Sequence, residues 1–165
     1  MGITVRDMTP EDWARVSAIY LEGIATGNST FETEVPPCDR WAAKHIDGCS
    51  LVACDGPDVV GWAALSPYSA RPAYAGVAEA SIYVGAGHRG RGVGTLLLRA
   101  LIERSESRGF WTLQAGVFPE NTASVAMCKK LGFREVGVRR KLGRMNGAWR
   151  DVLLLERRSD RVGVD

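Results

Sequence analysis

The stretch Arg89-Gly-Arg-Gly-Val-Gly94 is a basic glycine loop between a predicted strand and a predicted helix. An apolar run, Ser81-Ile-Tyr-Val84, precedes it, and Val93-Gly-Thr-Leu-Leu-Leu98 begins an amphipathic segment after it. Glycines let backbone N–H groups approach an anion, and a helix N-terminus adds unpaired donors and the positive end of its dipole. The two arginines add charge and forked hydrogen bonds. The pattern therefore predicts a phosphate-binding loop.

Three phosphate-containing ligands are alternatives for this loop, and a fourth interpretation involves no ligand. The P-loop pattern requires a lysine that this stretch lacks, which argues against nucleotide hydrolysis. Gly85-Ala-Gly-His-Arg-Gly90 matches the dinucleotide pattern GxGxxG, but the next predicted strand, residues 112–118, ends without the expected acidic residue. The diphosphate of coenzyme A is the third ligand. The ligand-free alternative is a tight glycine turn with two solvated arginines.

The length and composition fit one globular domain. The chain has 165 residues, of which 45% are hydrophobic and 24% charged, as in ordinary globular proteins with a substantial core. We expect a single domain over residues 1–158 and a C-terminal tail over residues 159–165. The net charge of +2 is too small to predict binding to nucleic acid. No apolar run reaches the roughly 18 residues of a membrane helix, and no signal-peptide region is visible, so we expect a cytoplasmic protein that binds no membrane.

The cysteines and histidines predict no metal site. They contain no CxxC pair and complete no zinc spacing; they are Cys38, Cys49, Cys54, Cys128, His45 and His88. We expect the first three cysteines to be reduced and mostly buried.

The predicted elements follow the order β-α-α-β-β-β-α-β-α-β-β, which indicates an α/β domain with a mixed sheet. Thr9-Pro-Glu-Asp12 is a helix start, with threonine as N-cap and proline at the first helical position. Asn146-Gly147 predicts a tight hairpin between the last two strands. Helical spacing predicts the buried faces of the two helices after the loop: Val93, Leu96, Leu97, Ala100 and Leu101, then Ala123, Ala126, Met127 and Leu131.

The glycine loop and the order of elements resemble one family of enzymes. Arg89-Gly-Arg-Gly-Val-Gly94 after a strand is similar to the acyl-CoA loop of the GNAT N-acetyltransferases. That fold has this order of elements, with a mixed, mostly antiparallel central sheet flanked by helices. The resemblance runs from about residue 3 to about residue 158, and it implies acetyl-CoA as co-substrate.

Further motifs resemble the phosphinothricin acetyltransferase group of that family, which includes phosphinothricin, methionine sulfone or sulfoximine, and arsinothricin N-acetyltransferases. The motifs are Ser66-Pro-Tyr-Ser-Ala-Arg-Pro-Ala-Tyr74, Val77-Ala-Glu-Ala-Ser-Ile-Tyr-Val84, Pro119-Glu-Asn-Thr-Ala-Ser-Val125 and Gly147-Ala-Trp-Arg-Asp-Val152. The closing stretch, residues 145–158, is most similar to the arsinothricin branch. The resemblance implies acetylation of a small amino acid or its analogue by direct attack in a ternary complex, and a homodimer.

Two residues are candidates for the proton transfers. An α-amine is mostly protonated near pH 7, so a base must take its proton. Alternation places Glu79 on one strand face with Ser81 and Tyr83, and the resemblance places a catalytic glutamate there; an arginine-paired strand glutamate is the alternative. Where the family has a tyrosine or histidine to protonate the leaving thiolate, this chain has Cys128. A thiol with a pKa of about 8.5 can serve, and an inert core cysteine is the alternative.

The resemblance also implies the residues that bind the co-substrate. The backbone of the strand before the glycine loop would hold the pantetheine arm and stabilise the oxyanion. The glycine loop would hold the diphosphate. Asn121 would contact the pantetheine arm and also cap the helix that follows it. The residues are Ile82, Tyr83, Val84, Arg89, Gly90, Arg91, Gly92, Val93, Gly94, Thr95 and Asn121.

Loops around the cleft are expected to recognise the amine substrate. Arg71 suits bidentate capture of a carboxylate or a phosphinate-type anion, and the resemblance implies contacts from its neighbours. Phe31 and Glu32, in the irregular segment over residues 26–37, are expected to line the pocket. A surface or core role is the alternative for each predicted residue. The predicted set is Phe31, Glu32, Arg71, Pro72, Ala73 and Tyr74.

Three other functions stay open at this point. A peptide or protein N-terminal acetyltransferase differs only in the size of its substrate. A non-catalytic acyl-CoA-binding module is compatible with the cysteine at position 128. Dinucleotide-dependent oxidoreduction is the remote alternative.

Overall fold

The computed structural model describes residues 2–165, which form one seven-stranded sheet with helices on both faces. The strands are β1 (Ile3–Asp7), β2 (Ser50–Asp55), β3 (Asp58–Pro67), β4 (Val77–Val84), β5 (Thr112–Val117), β6 (Arg134–Met145) and β7 (Ala148–Arg158). The helices are α1 (Trp13–Ala25), α2 (Cys38–Ala43), α3 (Val93–Ser107) and α4 (Thr122–Lys130). Within the described residues no helix is both long and apolar enough to span a lipid bilayer.

The sheet has the strand order β1-β2-β3-β4-β5-β7-β6. Neighbouring strands are antiparallel except β4 and β5, which are parallel and are joined by the crossover helix α3. The predicted order of elements and the mixed, mostly antiparallel sheet are therefore confirmed.

The sheet opens between its two parallel strands. Residues 77–79 of β4 pair with residues 112–114 of β5, and the pairing stops there. Beyond Glu79, β4 continues beside β3 alone, while β5 continues beside β7. Backbone N–H and C=O groups of β4 that point toward β5 past this position have no strand partner. The divergence creates a cleft in the middle of the sheet.

Two apolar clusters hold the helices on the sheet. On one face, α3 packs through residues such as Leu97 and Leu101, which are fully buried. On the other face, α1 and α2 pack through Tyr20 and Trp41 against Trp62 of β3. Truncating a buried leucine such as Leu97 to alanine costs about 2–5 kcal/mol.

The buried faces of α3 and α4 differ from the predicted ones. In α3, Leu96 is 39% exposed, whereas Leu98 and Ile102 are buried. Three consecutive leucines at 96–98 make the helical phase ambiguous, and packing against the sheet selects the later two. In α4, Ala123 and Ala126 are exposed and Cys128 is buried, because this short helix lies at the side of the sheet and covers only a narrow strip.

The ends of several elements follow the predicted local signals. A 3-10 turn, Pro10–Asp12, leads into α1, and Asp12 accepts hydrogen bonds from the Thr9 backbone N–H and from Arg6. The hairpin between β6 and β7 turns at Asn146 and Gly147, which both have positive φ angles, as the tight turn requires.

The segment that follows β7 is held against the domain. Ser159 is buried and its hydroxyl donates to Glu106 of α3 over 2.6 Å. Arg158 donates to the carbonyl oxygen of Val162 over 2.8 Å. These contacts order the beginning of the predicted tail.

Candidate active site

The cleft between β4 and β5 contains two adjoining cavities. The first, about 380 Å³ in volume, is lined by the middle of β4 and by β5, β6, β7 and α4. The second, about 460 Å³, is lined by the end of β4, the glycine loop and the first turns of α3 and α4. Both are bordered by the same residues at their junction: Ser29, Ile82, Tyr83, Asn121, Ser124 and Met127. A ligand extended along the cleft can therefore occupy both.

Glu79 lies in the first cavity at the point where β4 leaves β5. Its neighbour across the parallel pair is Gln114, whose Nε2 donates to Glu79 Oε2 over 3.0 Å. The side chain is half-buried, and no arginine or lysine pairs with it in residues 2–165. The arrangement leaves the carboxylate available to a ligand in the cavity. Sequence reasoning missed Gln114, although alternation along β5 marks it as a polar residue beside Glu79.

The glycine loop adopts the backbone that an anion site requires. Gly90 and Gly92 have φ angles of +76° and +81°, which side chains rarely tolerate. Gly92 is the N-cap of α3 and supplies no side-chain acceptor, so the first N–H groups of the helix are left for a ligand. Arg89 lines the second cavity and also donates to the Val84 carbonyl oxygen over 3.3 Å.

The other residues predicted around this loop divide into two groups. Most line the second cavity: Ile82, Tyr83, Val84, Gly90, Gly92, Val93, Gly94, Thr95 and Asn121. Arg91, between the two glycines, is exposed and lines neither cavity. Asn121 caps α4 through its Oδ1, which accepts from the Ser124 N–H over 3.3 Å.

Cys128 lies on α4 and lines the first cavity while remaining only 4% exposed. Burial raises the pKa of its thiol to about 11. The thiol is therefore a weaker acid than an ordinary cysteine, whose pKa is about 8.5. All four cysteines are free, and in residues 2–165 no cluster of three or more histidine, cysteine, aspartate or glutamate side chains has a metal-binding arrangement.

The predicted substrate residues lie in two separate places. Phe31 and Glu32 line the first cavity. The other four, Arg71, Pro72, Ala73 and Tyr74, are exposed in the β3–β4 loop and do not line that cavity. The Arg71 guanidinium lies 5.6 Å from the centre of the Tyr74 ring. The loop starts and ends close to Glu79, because Glu79 pairs with Ser66 near the end of β3.

One basic side chain in the first cavity was not predicted. Arg139 of β6 lines it, together with Leu142 of the same strand. Between Arg139 and Gly143 the register with β7 shifts by two residues, so β6 bulges at this point. A second register shift, between Glu135 and Gly137, reverses the alternation ahead of Arg139. For this reason the run Arg139-Arg140-Lys141 did not reveal which residue would face the cleft.

Arg150 of β7 holds the loop around Gly27 and Asn28, and the next residue of that loop, Ser29, borders both cavities. Its guanidinium donates to the Gly27 carbonyl oxygen over 2.8 Å and to Asn28 Oδ1 over 2.9 Å. It also lies 4.0 Å from the centre of the Phe118 ring and 3.4 Å from a Glu120 carboxylate oxygen. The side chain is 18% exposed, so these contacts are largely shielded from water. Arg150 thereby connects the hairpin to the start of the cleft wall.

The same loop is fixed from its other side by aromatic packing and by Asn121. Phe31 packs edge-on against Phe118 at 4.9 Å between ring centres. Its ring also covers Gly143, where a built Cβ would lie 2.5 Å from the Phe31 ring. Asn121 Nδ2 donates to the Asn28 carbonyl oxygen over 3.2 Å. One set of contacts thus shapes the walls of both cavities.

Sequence and structure comparisons define the class of this protein. The family model described as "Acetyltransferase (GNAT) family" matches residues 13–133. The cleft lies where the parallel strands β4 and β5 diverge. The chain belongs to the GNAT family and is an acetyltransferase.

Its relatives narrow the class further. The chain is 34% identical to a phosphinothricin N-acetyltransferase of Streptomyces coelicolor over 163 residues, which is 94% of this chain and 95% of that protein. It is 33% identical to an L-methionine sulfoximine/L-methionine sulfone acetyltransferase of Pseudomonas paraeruginosa, over 94% of each chain. A crystal structure of a GNAT superfamily phosphinothricin acetyltransferase from Sinorhizobium meliloti in complex with AcCoA superposes with a TM-score of 0.90 at 29% identity, over 100% of this chain and 92% of that one. The resemblance to the phosphinothricin and methionine sulfoximine group is confirmed.

Proposed function

We propose that this acetyltransferase transfers the acetyl group of acetyl-CoA to the α-amine of a small amino acid or an analogue of the phosphinothricin or methionine sulfoximine type. The observation that carries the proposal is the continuity of the two cavities. A carboxylate lies in one, a glycine loop with a helix N-terminus forms the other, and unpaired strand backbone lies between them. The names and coverage of the relatives support the same reaction.

The second cavity suits the coenzyme A portion of the co-substrate. The N–H groups around Gly92 and the Arg89 guanidinium offer positive partial and full charge to a diphosphate. The residues of β4 from 82 to 84 have backbone groups free on the cleft side, and an extended pantetheine arm can pair with them as a strand would. Asn121 borders both cavities and is proposed to contact this arm.

Glu79 is proposed as the general base. It takes a proton from the substrate ammonium, directly or through water, and the free amine then attacks the thioester carbonyl. The carbonyl oxygen gains negative charge as the new C–N bond forms, and backbone N–H groups of residues 82–84 stabilise that charge. The C–S bond then breaks, and the thiolate takes its proton from solvent. We assign Cys128 a packing role, since a thiol with a pKa of about 11 is a poor donor to a thiolate of ordinary pKa.

The amine substrate is proposed to lie in the first cavity beside Phe31 and Glu32. Arg71 stays our candidate for the substrate carboxylate, because its loop connects the ends of β3 and β4 next to Glu79. Its exposure in the single chain means that the loop has to fold over the cavity entrance to make this contact.

We also propose a homodimer built on the terminal hairpin. Three large apolar side chains of β6 and β7 outside the cavity are between 44% and 55% exposed: Val136, Val138 and Trp149. Such a patch is unusual on an isolated domain and typical of an interface. The use of acetyl-CoA and the four free cysteines favour the cytoplasm. The domain is taken to end near residue 158, with the remaining residues as a tail.

The reaction is tested by the release of free thiol from acetyl-CoA. The panel contains phosphinothricin, methionine sulfone, methionine sulfoximine, arsinothricin, common amino acids and short peptides. Glu79→Gln is compared with the wild type and with Glu103→Gln, an exposed carboxylate of α3 far from the cavities. We expect release with at least one amino-acid analogue and a loss of about 100-fold or more in kcat/KM for Glu79→Gln alone.

Two results would contradict the proposal. Release with peptides only would assign the protein to N-terminal acetylation. Full activity of Glu79→Gln would remove the carboxylate from the mechanism, whereas partial recovery at high pH, where the amine is already neutral, would support its role as base.

A further inference from the structure

The first cavity holds one cation against two carboxylates. Among residues 2–165, Arg139 is the only basic residue that lines it, and Glu32 and Glu79 are the acidic ones. The Arg139 guanidinium forms no ion pair or side-chain hydrogen bond with any described residue. A guanidinium without a partner at the wall of a cleft is available to oxygen atoms of a ligand.

Arg139 and Glu79 lie on opposite sides of that cavity. The strand order places β5 and β7 between β4 and β6, which gives three inter-strand spacings of about 4.8 Å. Glu79 is level with Glu156 of β7, whereas Arg139 is level with Val152, four residues further along that strand. At about 3.4 Å per residue, the two backbones are therefore roughly 20 Å apart. The long arginine side chain and the shorter glutamate reduce this gap to the length of a small extended molecule. A substrate whose α-amine lies next to Glu79 therefore presents the end of its side chain, and not its α-carboxylate, to Arg139.

The local backbone favours this orientation. Four steps along β6, from Arg139 to Gly143, face only two along β7, from Val152 to Arg150. Lys141 in the bulge has a positive φ angle, and its N–H donates to Asp151 over 2.8 Å. The bulge is thus pinned by a side chain of β7. Arg139 is the last regularly paired residue before the bulge, opposite Val152, and both residues line the cavity.

We propose that Arg139 binds the oxygen atoms at the end of the substrate side chain and so determines which amino acids are acetylated. The planar guanidinium offers two parallel N–H donors to a tetrahedral group with two oxygens, such as a phosphinate or a sulfone. The substrate class is the one proposed above, an α-amino acid whose short side chain ends in a tetrahedral group that carries oxygens. This inference rests on the proposed function and adds the residue that recognises the side chain.

The test compares substrates that differ only at the side-chain end. Phosphinothricin and methionine sulfone carry the tetrahedral oxygens, whereas norleucine has an apolar chain of similar length. For Arg139→Gln we expect KM to rise about 10- to 100-fold for the first two and to change less than twofold for norleucine. Arg139→Lys, which keeps the charge without the fork, is expected to lie between the wild type and Arg139→Gln.

Arg140→Gln is the matched control, because Arg140 is the next residue on the same strand, is exposed as Arg139 is, and lines neither cavity. Its KM values are expected to equal those of the wild type. An equal rise for norleucine and phosphinothricin in Arg139→Gln, or no rise for either, would overturn the inference.

Failure of the proposed function gives a different result. If the wild type acetylates no amine of the panel, the proposed function fails, and calorimetric titration of the acetyl-CoA-free protein with phosphinothricin decides the role of Arg139. Affinity that is lost in Arg139→Gln and kept in Arg140→Gln supports the inference. Equal affinity in the two variants, or no binding to the wild type, refutes it.

Discussion

The side-chain amide of Gln114 donates to Glu79 Oε2 over 3.0 Å across the last paired position of the two parallel strands. The other oxygen, Oε1, has no hydrogen-bond partner within residues 2–165. One oxygen of the carboxylate is thus held by the sheet and the other is left for a ligand. The relationship places the proposed base at the point where strand pairing ends and the cleft begins.

Replacing Gln114 by leucine, which has a similar volume, should lower kcat without changing the binding of acetyl-CoA. The carboxylate then loses the donor that orients it, so we expect kcat to fall about 5- to 20-fold. Steady-state kinetics at saturating amine, with KM for acetyl-CoA as the second readout, provide the check. Gln114→Glu would place a second carboxylate beside Glu79 and is expected to be worse. An unchanged kcat in Gln114→Leu would show that Glu79 needs no such support.

Replacing Cys128 by alanine should leave kcat within about threefold of the wild-type value. A thiol with a pKa of about 11 stays protonated over the working range of pH, so its ionisation contributes no alkaline change in rate between pH 7 and 9. The pH profile of kcat in that range checks the expectation. Cys54→Ala, a similar truncation at a buried site outside both cavities, controls for packing. A fall of 100-fold specific to Cys128→Ala would restore the general-acid role.

Replacing Arg150 by glutamine should raise KM for both substrates. The variant removes the donors to Gly27 and Asn28 and the cation over Phe118, so the wall shared by the two cavities loses its anchor. We expect KM for amine and acetyl-CoA to rise about 5- to 10-fold, with a smaller change in kcat. Arg144→Gln is the control, since Arg144 lies on the same hairpin with its guanidinium over the exposed Trp149. A change in thermal stability with unaltered KM values would limit Arg150 to a structural role.

Replacing Asp12 by asparagine should remove a pH-dependent part of the stability. The two-pronged hydrogen bond from Arg6, at 2.8 and 2.9 Å, lowers the pKa of Asp12 to about 2, and the Thr9 N–H adds to the effect. A carboxyl group whose pKa is lowered by folding stabilises the protein above its ordinary pKa of about 4, and the contribution disappears as the pH falls toward 2. A shift of nearly two units corresponds to about 2 kcal/mol for this buried group.

Urea unfolding at several pH values measures this contribution. The free energy of unfolding of Asp12→Asn should lie about 2 kcal/mol below that of the wild type at pH 7, and the difference should shrink between pH 4 and pH 2. Glu11→Gln, the exposed neighbour, should show no such dependence. A constant difference at every pH would mean that the loss comes from packing and not from the charge.

Local chemistry made much of this fold predictable from sequence. Asn146-Gly147 determines its hairpin because both residues tolerate a positive φ, and the glycines at 90 and 92 determine the loop before α3 for the same reason. Strand alternation correctly placed Glu79 on the face opposite to Ala78 and Ala80, which pack in the α3 core. Each of these signals acts between residues that are close in the chain.

Contacts between distant residues were decided only by the tertiary structure. Which leucines of α3 are buried depends on the phase at which the helix meets the sheet. Gln114 and Glu79 meet because a crossover brings two parallel strands together, and Arg139 faces the cavity because a bulge breaks the alternation of β6.

The same distinction applies to the acid strength of Cys128. The sequence shows that a cysteine occupies position 128 of the last helix. The raised pKa of its thiol results from burial by several elements of the fold, which the sequence does not show. The sequence by itself thus determined the class of fold, the conformation of the glycine loop and the position of the proposed base, since these depend on backbone conformation and short periodicities. Register, burial and the walls of the substrate cavity depend on the free energy of packing the whole chain, and only the folded structure reveals them.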